Sequence, residues 1–237
     1  MADIFNIYGQ PIGAPVEDWS PRPRPSVAPL VGRTCRLERL DADRHAAELH
    51  AAHRTAADDS NWTYLMVGPF KTLAAYEKFL RDEAAKSDPF HHVVIDAVTG
   101  KAVGMANFMR IDPANGVIEI GHIAYSPLLQ QTIAGTEAVY LLLRRAFDEL
   151  GYRRVEWKCD SLNSASRSPS ERYGFRHEGI FRQATVYKGR SRDTAWFSLI
   201  DRDWPGVRTA FERWLSPDNF DAAGRQYRTL TDIRAHP

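Results

Sequence analysis

The sequence predicts one mixed α/β domain, a mostly antiparallel sheet that contains a single βαβ unit. Three observations predict it. The hydrophobic period changes from helical to alternating near residue 91. Three β-rich runs follow, 91–97, 102–111 and 117–125, divided by the turn signals Thr99-Gly100 and Asp112-Pro-Ala-Asn-Gly116. The third run leads through a short Gln/Thr/Gly loop into an amphipathic helix and then another strand, 154–159, an order that makes the two strands parallel.

The remaining elements follow in chain order. Residues 1–33 read as an extended Pro-rich N-terminal arm, because Ser20-Pro-Arg-Pro-Arg-Pro25 can continue neither a helix nor a central strand. It serves either as a surface-hugging lead-in or as a docking motif. Thr34–Leu40 alternates as a strand. Asp41 caps a helix to about residue 57, with Ala46, Leu49 and His53 on one face. Residues 61–70 are aromatic and irregular, and Thr72 caps a second helix to about residue 86. The helix 136–150 carries Val139, Leu142, Leu143, Ala146 and Phe147 at helical spacing and ends at Gly151. Residues 163–173 form a short helix with Pro169 in its first turn or kinking it. A hairpin, 179–188 and 194–200, turns around Lys188-Gly189-Arg190. The domain proper spans 34–204, and residues 205–237 form a C-terminal helix and a polar tail that wraps or frays.

Bulk properties narrow the function. The 31 basic and 30 acidic residues give a net charge of +1, far from the basic bias of a nucleic-acid binder. No apolar run approaches the roughly 18 residues of a membrane span. Cys35 and Cys159 match no metal or redox spacing, which fits a cytoplasmic setting. The histidines 45, 50 and 53 have no metal-site geometry, so no metal is expected. The segment 117–151 is the most informative. A helix that starts directly after a strand and a tight loop offers free backbone N–H groups, and these can hold a phosphate.

Several stretches together resemble the GNAT N-acetyltransferase superfamily, RimJ/RimL-type branch. They are Glu119-Ile-Gly-His-Ile-Ala-Tyr-Ser-Pro127, the loop Gln130–Thr136, Asn163 through Arg172-Tyr-Gly-Phe175, and Gly189-Arg-Ser-Arg-Asp-Thr-Ala-Trp-Phe-Ser198. The resemblance implies a central sheet with a splayed parallel strand pair, with acetyl-CoA as cosubstrate between the strands. Ile123, Ala124 and Tyr125 would flank the pantetheine arm. Gln130, Gln131, Thr132, Ile133, Ala134, Gly135 and Thr136 would form the pyrophosphate loop, with Ile133 standing where the family pattern has glycine. Asn163 would contact the cofactor arm or cap its helix, and Ser166 would border the thiol. The family's frequent Tyr acid is replaced here by Ser170, which leaves Ser166 as the hydroxyl donor to the leaving thiolate.

Acyl transfer needs a neutral amine, and an α-amine of pKa ~8 needs less help than a lysine at ~10.4. Glu119 is the candidate base, since a carboxylate on a central strand is desolvated; the alternative is a structural ion pair. In strict alternation it shares a face with Gly121, Ile123 and Tyr125. His122 titrates near neutrality beside the splay and is a second candidate. Asp193 either polarises the amine or pairs with Arg190 or Arg192. Trp62, Tyr64 and Phe70 form a substrate wall or pack in the core.

The expected function is direct transfer of acetyl to a primary amine, on a small molecule or a protein N-terminus. The alternative is a non-catalytic acyl-CoA-binding scaffold of the same fold. Neither nucleic acid nor membrane is expected as a partner, and a homodimer is compatible with the sequence without being dictated by it.

Overall fold

The computed structural model describes residues 4–236. Strands β1 (Ile4–Phe5) and β2 (Pro11–Ile12) close a small exposed hairpin, so the arm is not extended throughout. Next come β3 (Leu30–Val31), β4 (Cys35–Arg39), α1 (Ala42–His53), α2 (Leu73–Ala84), β5 (His92–Asp96), β6 (Ala102–Asp112) and β7 (Val117–Tyr125). The second half holds α3 (Ile133–Arg144), β8 (Arg154–Asp160), α4 (Ser164–Arg172), β9 (Arg176–Tyr187), β10 (Arg190–Ile200), α5 (Trp204–Leu215) and α6 (Leu230–Ala235).

An eight-stranded sheet runs β3-β4-β5-β6-β7-β8-β10-β9, and its one parallel pair is β7 with β8. This is the predicted mixed α/β architecture. Two cores cover the sheet. Helices α3 and α5 pack on one face through residues such as Leu142, Phe211 and Trp214 against Phe108, Ile118 and Phe197. Helices α1 and α2 pack on the other, with Leu49, Tyr76 and Leu80 against Val93, Ile95 and Met105. Burial of these apolar faces supplies the main driving force of folding. No helix among the described residues is long and apolar enough to cross a membrane.

Several boundaries differ from expectation for local reasons. Helix α3 begins three residues earlier than the apolar stripe suggests, because the Thr132 side chain accepts the Gly135 amide at 3.0 Å and acts as N-cap. It ends in a π-helical turn, Arg145–Glu149. Pro169 sits inside α4 and not in its first turn. The Ser170 hydroxyl donates to the Arg167 carbonyl at 2.7 Å there. The turn between β9 and β10 has positive φ at Lys188 and Gly189, the pairing that a two-residue hairpin of primed type requires.

The arm from Trp19 onward and the tail through α6 are both tied down. In the arm, the Trp19 indole donates to the Ala114 carbonyl at 2.9 Å and stacks beneath the Arg22 guanidinium at 4.4 Å. The Arg22 amide donates to the Pro113 carbonyl, and Arg24 donates to the Ser87 carbonyl. Gly116 has φ +61 and no room for a side chain, since a Cβ there would lie 2.5 Å from the Trp19 ring. The tail does not fray. Trp214 donates to Gln226 at 2.7 Å, Asn219 bridges to the Arg228 backbone, and Thr229 and Asp232 form a capping box for α6.

Candidate active site

Strands β7 and β8 pair over only three positions, Val117↔Arg154, Ile118↔Val155 and Glu119↔Glu156, and then part. Beyond Glu119 the edge of β7 that faces β8 is left without ladder partners. A cleft of about 1610 Å³ passes through this gap. It is lined from the α3 side by Val139, Trp157 and Arg172, and from the α1/α2 side by Trp62, Glu119 and Lys158. A sheet normally separates its two layers; here the splay joins them.

At the α3 side the cleft meets the loop Gln130–Thr136. Thr132 and the helix itself satisfy Gly135 and the later amides, which leaves the Ile133 and Ala134 N–H groups without an acceptor among the described residues; Ile133 lines the cleft, and the Ala134 side chain is buried behind it. These two donors and the helix dipole suit an anion. Ile133 is the first helical residue with negative φ, and the left-handed residue of the loop is Gln131, φ +59. The isoleucine therefore occupies a backbone conformation that a β-branched residue tolerates, and the site does not require the family's glycine. Gln130 does not reach toward the helix start; its side-chain amide donates to the Tyr125 carbonyl and to Asn61, both at 3.0 Å. The Tyr125 hydroxyl donates to the Gly135 carbonyl at 2.8 Å.

Gly135 is the tight position. A Cβ there would lie 2.7 Å from the Leu129 carbonyl oxygen and 3.1 Å from the Tyr125 ring. Gly135→Ala is expected to push α3 off the loop, cost about 1–3 kcal/mol, and weaken coenzyme A binding by calorimetry. A variant with unchanged melting temperature and affinity would show that the contact is slack.

Strict alternation fails on β7. His122 has φ +46, and the register with β6 slips between Met105↔Ala124 and Asn107↔Gly121. This is a bulge, held by Asn107, whose side-chain amide donates to the His122 carbonyl at 2.8 Å. The extra residue inverts the phase. Ile123 and Tyr125 join Ile118 and Ile120 on the α3 face, and Ala124 packs toward α1 and α2. Glu119 therefore does not share a face with Ile123 and Tyr125, as the alternation had suggested. His122 itself is exposed, its ring 6.2 Å from that of His91.

Glu119 is 3% exposed, as a central strand predicts, but it does not stand alone. Its Oε2 lies 2.8 Å from Arg110 Nη1 and 3.0 Å from Lys158 Nζ. Lys158 also meets Glu156 at 2.7 Å and sits 3.7 Å from the centre of the Trp196 ring. A buried cation is thus shared between two carboxylates and an aromatic face, all on the sheet face toward the acceptor end. Two residues further along β8, on the same face as Lys158, Asp160 lines the same end of the cleft, buried, accepting the Tyr187 hydroxyl at 2.9 Å and the Leu162 amide at 2.9 Å. It has no ion-pair partner among the described residues.

On α4, Ser166 Oγ accepts the Trp157 indole N–H at 2.9 Å and borders the cleft, with its hydroxyl also within reach of the Cys159 sulfur. Asn163 makes no side-chain cap, and its side chain borders the cleft. Cys159 lies nearby, but burial pushes its thiol upward, so it stays protonated and a poor nucleophile.

Two expected residues lie elsewhere. Asp193 does not line the cleft; its carboxylate accepts the Gln183 amide at 2.7 Å across the β9–β10 irregularity and pairs with neither Arg190 nor Arg192. Phe70 stacks on Phe79 at 4.8 Å in the core beneath α2. Trp62 and Tyr64 do border the cleft, Trp62 with its other face against Phe70. Lys158, Asp160, Arg172 and Trp196 were not anticipated. Their signal was the charged alternate face of β8, Arg154-x-Glu156-x-Lys158-x-Asp160.

The comparisons agree with this geometry. Residues 35–176, more than half of the chain, match the family model described as Acetyltransferase (GNAT) domain. The chain is similar to a crystal structure of a GCN5-related N-acetyltransferase from Brucella melitensis, 47% identical, with TM-score 0.91 over 93% of this chain and 100% of that one. It is also similar to a probable GNAT-family acetyltransferase from Chromobacterium violaceum, 41% identical, with TM-score 0.77 over 83% of this chain and 98% of that one. A Bacillus subtilis protein named "Putative ribosomal N-acetyltransferase YdaF" is 33% identical over 46% of this chain and 59% of its own length. The chain therefore belongs to the GNAT acetyltransferase family and is an acetyl-CoA-dependent acyltransferase.

Proposed function

We propose that this protein transfers acetyl from acetyl-CoA directly to a primary amine, carried by a small molecule or by a protein N-terminus. The observation that carries the reading is the splay of β7 from β8, which opens one cleft through the sheet from the free amides of α3 to the carboxylates Glu119 and Asp160. The residues present suit acetyl-CoA. The Ile133 and Ala134 amides would take the pyrophosphate, the unpaired edge of β7 at Ile123 to Tyr125 would pair with the pantetheine amides, and Asn163 would meet the arm from α4.

The amine enters from the α1/α2 side, past Trp62, Tyr64 and Trp196. Glu119 is already neutralised by Arg110 and Lys158, so an incoming ammonium finds its counter-charge at Asp160, the carboxylate without a cation. Loss of one amine proton frees the lone pair. Nitrogen attacks the thioester carbonyl, the C–S bond breaks as the amide bond forms, and the Ser166 hydroxyl donates to the departing thiolate. The first amine proton leaves by way of Asp160; the second, lost from nitrogen as the amide forms, passes through the Ser166 hydroxyl to the departing sulfur and leaves the free thiol, while Glu119 with its two cations positions the floor of the site.

Thiol release with acetyl-CoA and a panel of amines tests the activity. Binding of acetyl-CoA without release by any amine would overturn it in favour of a scaffold. Asp160→Asn is expected to raise KM for the amine by about tenfold or more, the scale of a lost charged hydrogen bond, and to move the acid limb of the pH–rate profile. If Glu119→Gln moves that limb and Asp160→Asn does not, Glu119 is the base.

A further inference from the structure

The C-terminal tail contributes a wall to the cleft that the GNAT family match, ending at residue 176, does not include. At the α3 side the cleft is bordered by Trp214 at the end of α5 and by Phe220, Arg225 and Gln226 of the tail. The wall is built. Trp214 and Phe220 meet edge to face at 5.3 Å, Phe220 pairs with Gln226 as an isolated bridge, and Gln226 accepts the Trp214 indole N–H. The buried Leu230 and Ile233 of α6 anchor the tail behind it.

The tail also sets the one cation facing that space from the domain proper. Arg234 of α6 donates to the Glu171 and Arg172 carbonyls at 2.8 and 3.0 Å and so fixes the end of α4. The Arg172 guanidinium lies 4.7 Å from the Tyr173 ring centre and 5.6 Å from that of Trp214, and it donates to the Thr136 hydroxyl in the first turn of α3 at 2.7 Å. It has no carboxylate partner among the described residues. A guanidinium without a counter-ion, beside a helix start with free amides, suits an anion. Aromatic edges and an amide next to it suit a planar base.

We propose that the tail residues Phe220–Gln226, with Trp214 and Arg172, form a subsite for the 3′-phosphoadenosine end of coenzyme A, in which Arg172 is the main holder of the 3′-phosphate, Arg225, exposed and paired with Asp221 at 2.7 Å, turns its free guanidinium nitrogens to the same phosphate, and Phe220 packs on the adenine. This deepens the assignment of the cleft to acetyl-CoA and rests on it. Its geometric basis is separate, because the splay would hold the pantetheine arm with or without the tail.

The experiment is calorimetric titration of the full chain with coenzyme A, 3′-dephospho-coenzyme A and 4′-phosphopantetheine. Wild type should bind coenzyme A about tenfold or more tighter than the dephospho form. Arg172→Gln and Arg225→Gln should remove most of that preference while 4′-phosphopantetheine binding stays within about twofold. Phe220→Ala should weaken both nucleotides and leave 4′-phosphopantetheine unchanged. Melting curves without ligand confirm that each variant is folded, and Arg172→Lys should restore part of the preference where a folding defect would not be rescued. Equal affinity of wild type for coenzyme A and its dephospho form, with all three variants unaffected, would overturn the subsite and leave the cleft assignment standing. Absence of binding by coenzyme A would overturn both.

Discussion

Replacing Lys158 by methionine is expected to cost about 3–5 kcal/mol of folding stability, the range for breaking a buried ion pair from one side. The reason is what remains. Glu119 and Glu156 sit opposite each other in the only parallel register of the sheet, and Lys158 lies within 3.0 Å of both carboxylates. Without it Arg110 still reaches Glu119, but that guanidinium is itself more than half exposed and does not meet Glu156. A second change should restore part of the stability: Glu156→Gln in the Lys158→Met background removes a carboxylate that is then left with Arg154 alone, at 2.8 Å, as counter-ion. Chemical denaturation of the single and double variants measures the coupling. A loss below about 1 kcal/mol in the single variant, or no recovery in the double, would mean that water and Arg154 already satisfy the carboxylates.

Stability should also fall steeply on acidification, beginning well above the carboxylate range. Burial pushes His53 down to about 4 and His92 down to about 3 from an ordinary 6.5. Both rings are enclosed, His53 against Trp62 and Tyr76, and His92 between Phe90 and Phe108. The sign follows from proton counting. Below 6.5 the unfolded chain binds a proton at each histidine and the folded chain does not, so stability is intact above pH 6.5 and is lost as pH falls toward the folded values. Two such groups give a slope of about 2.7 kcal/mol per pH unit between roughly pH 6 and 4.5. Glu178, held down to about 2 by Arg154 and the Ser198 hydroxyl, extends the loss to lower pH. Denaturation midpoints measured from pH 7.5 to 4.5 check this, and His92→Phe should lower the slope by about 1.4 kcal/mol per pH unit, while His53, together with His45, His91 and His122, which desolvation also holds down, leaves the rest. A flat profile down to pH 5 would show that the folded state opens to protonate these rings.

Much of the fold was legible because most elements obey one period each. The meander of β5, β6 and β7, the α3 stripe and the hairpin at Lys188-Gly189 all stand close to where alternation, helical spacing and turn chemistry place them. The failures have identifiable physical origins. A bulge adds one residue to a strand without changing its composition, so the inverted phase after His122 leaves no trace in the alternation. Strand β8 announces itself through its alternate apolar residues Val155, Trp157 and Cys159, which specify packing. Its other face holds the charged residues that furnish the site. Asp193 has the right residue type on the right strand, and its carboxylate is consumed by a backbone amide. The tail is polar by composition, and its order comes from bonds between residues several positions apart in the chain, such as Arg228 to the buried Asn219. Only Thr229-x-x-Asp232, a capping box, announced structure there.

The N-terminal arm has a consequence for the order in which the molecule is assembled. Its anchors are Pro113 and Ala114, Ser87, and Arg145 on the π-helical turn. A chain made from its N-terminus carries the arm outside the ribosome long before any of these exists. The Trp19–Arg22 stack can form early, but the groove that receives it appears only when β6, β7 and α3 have met. The arm is therefore synthesised before every one of its anchors and is among the last segments to dock. Its Pro-Arg alternation, soluble and unable to add a stray strand to the growing sheet, suits a segment that has to wait.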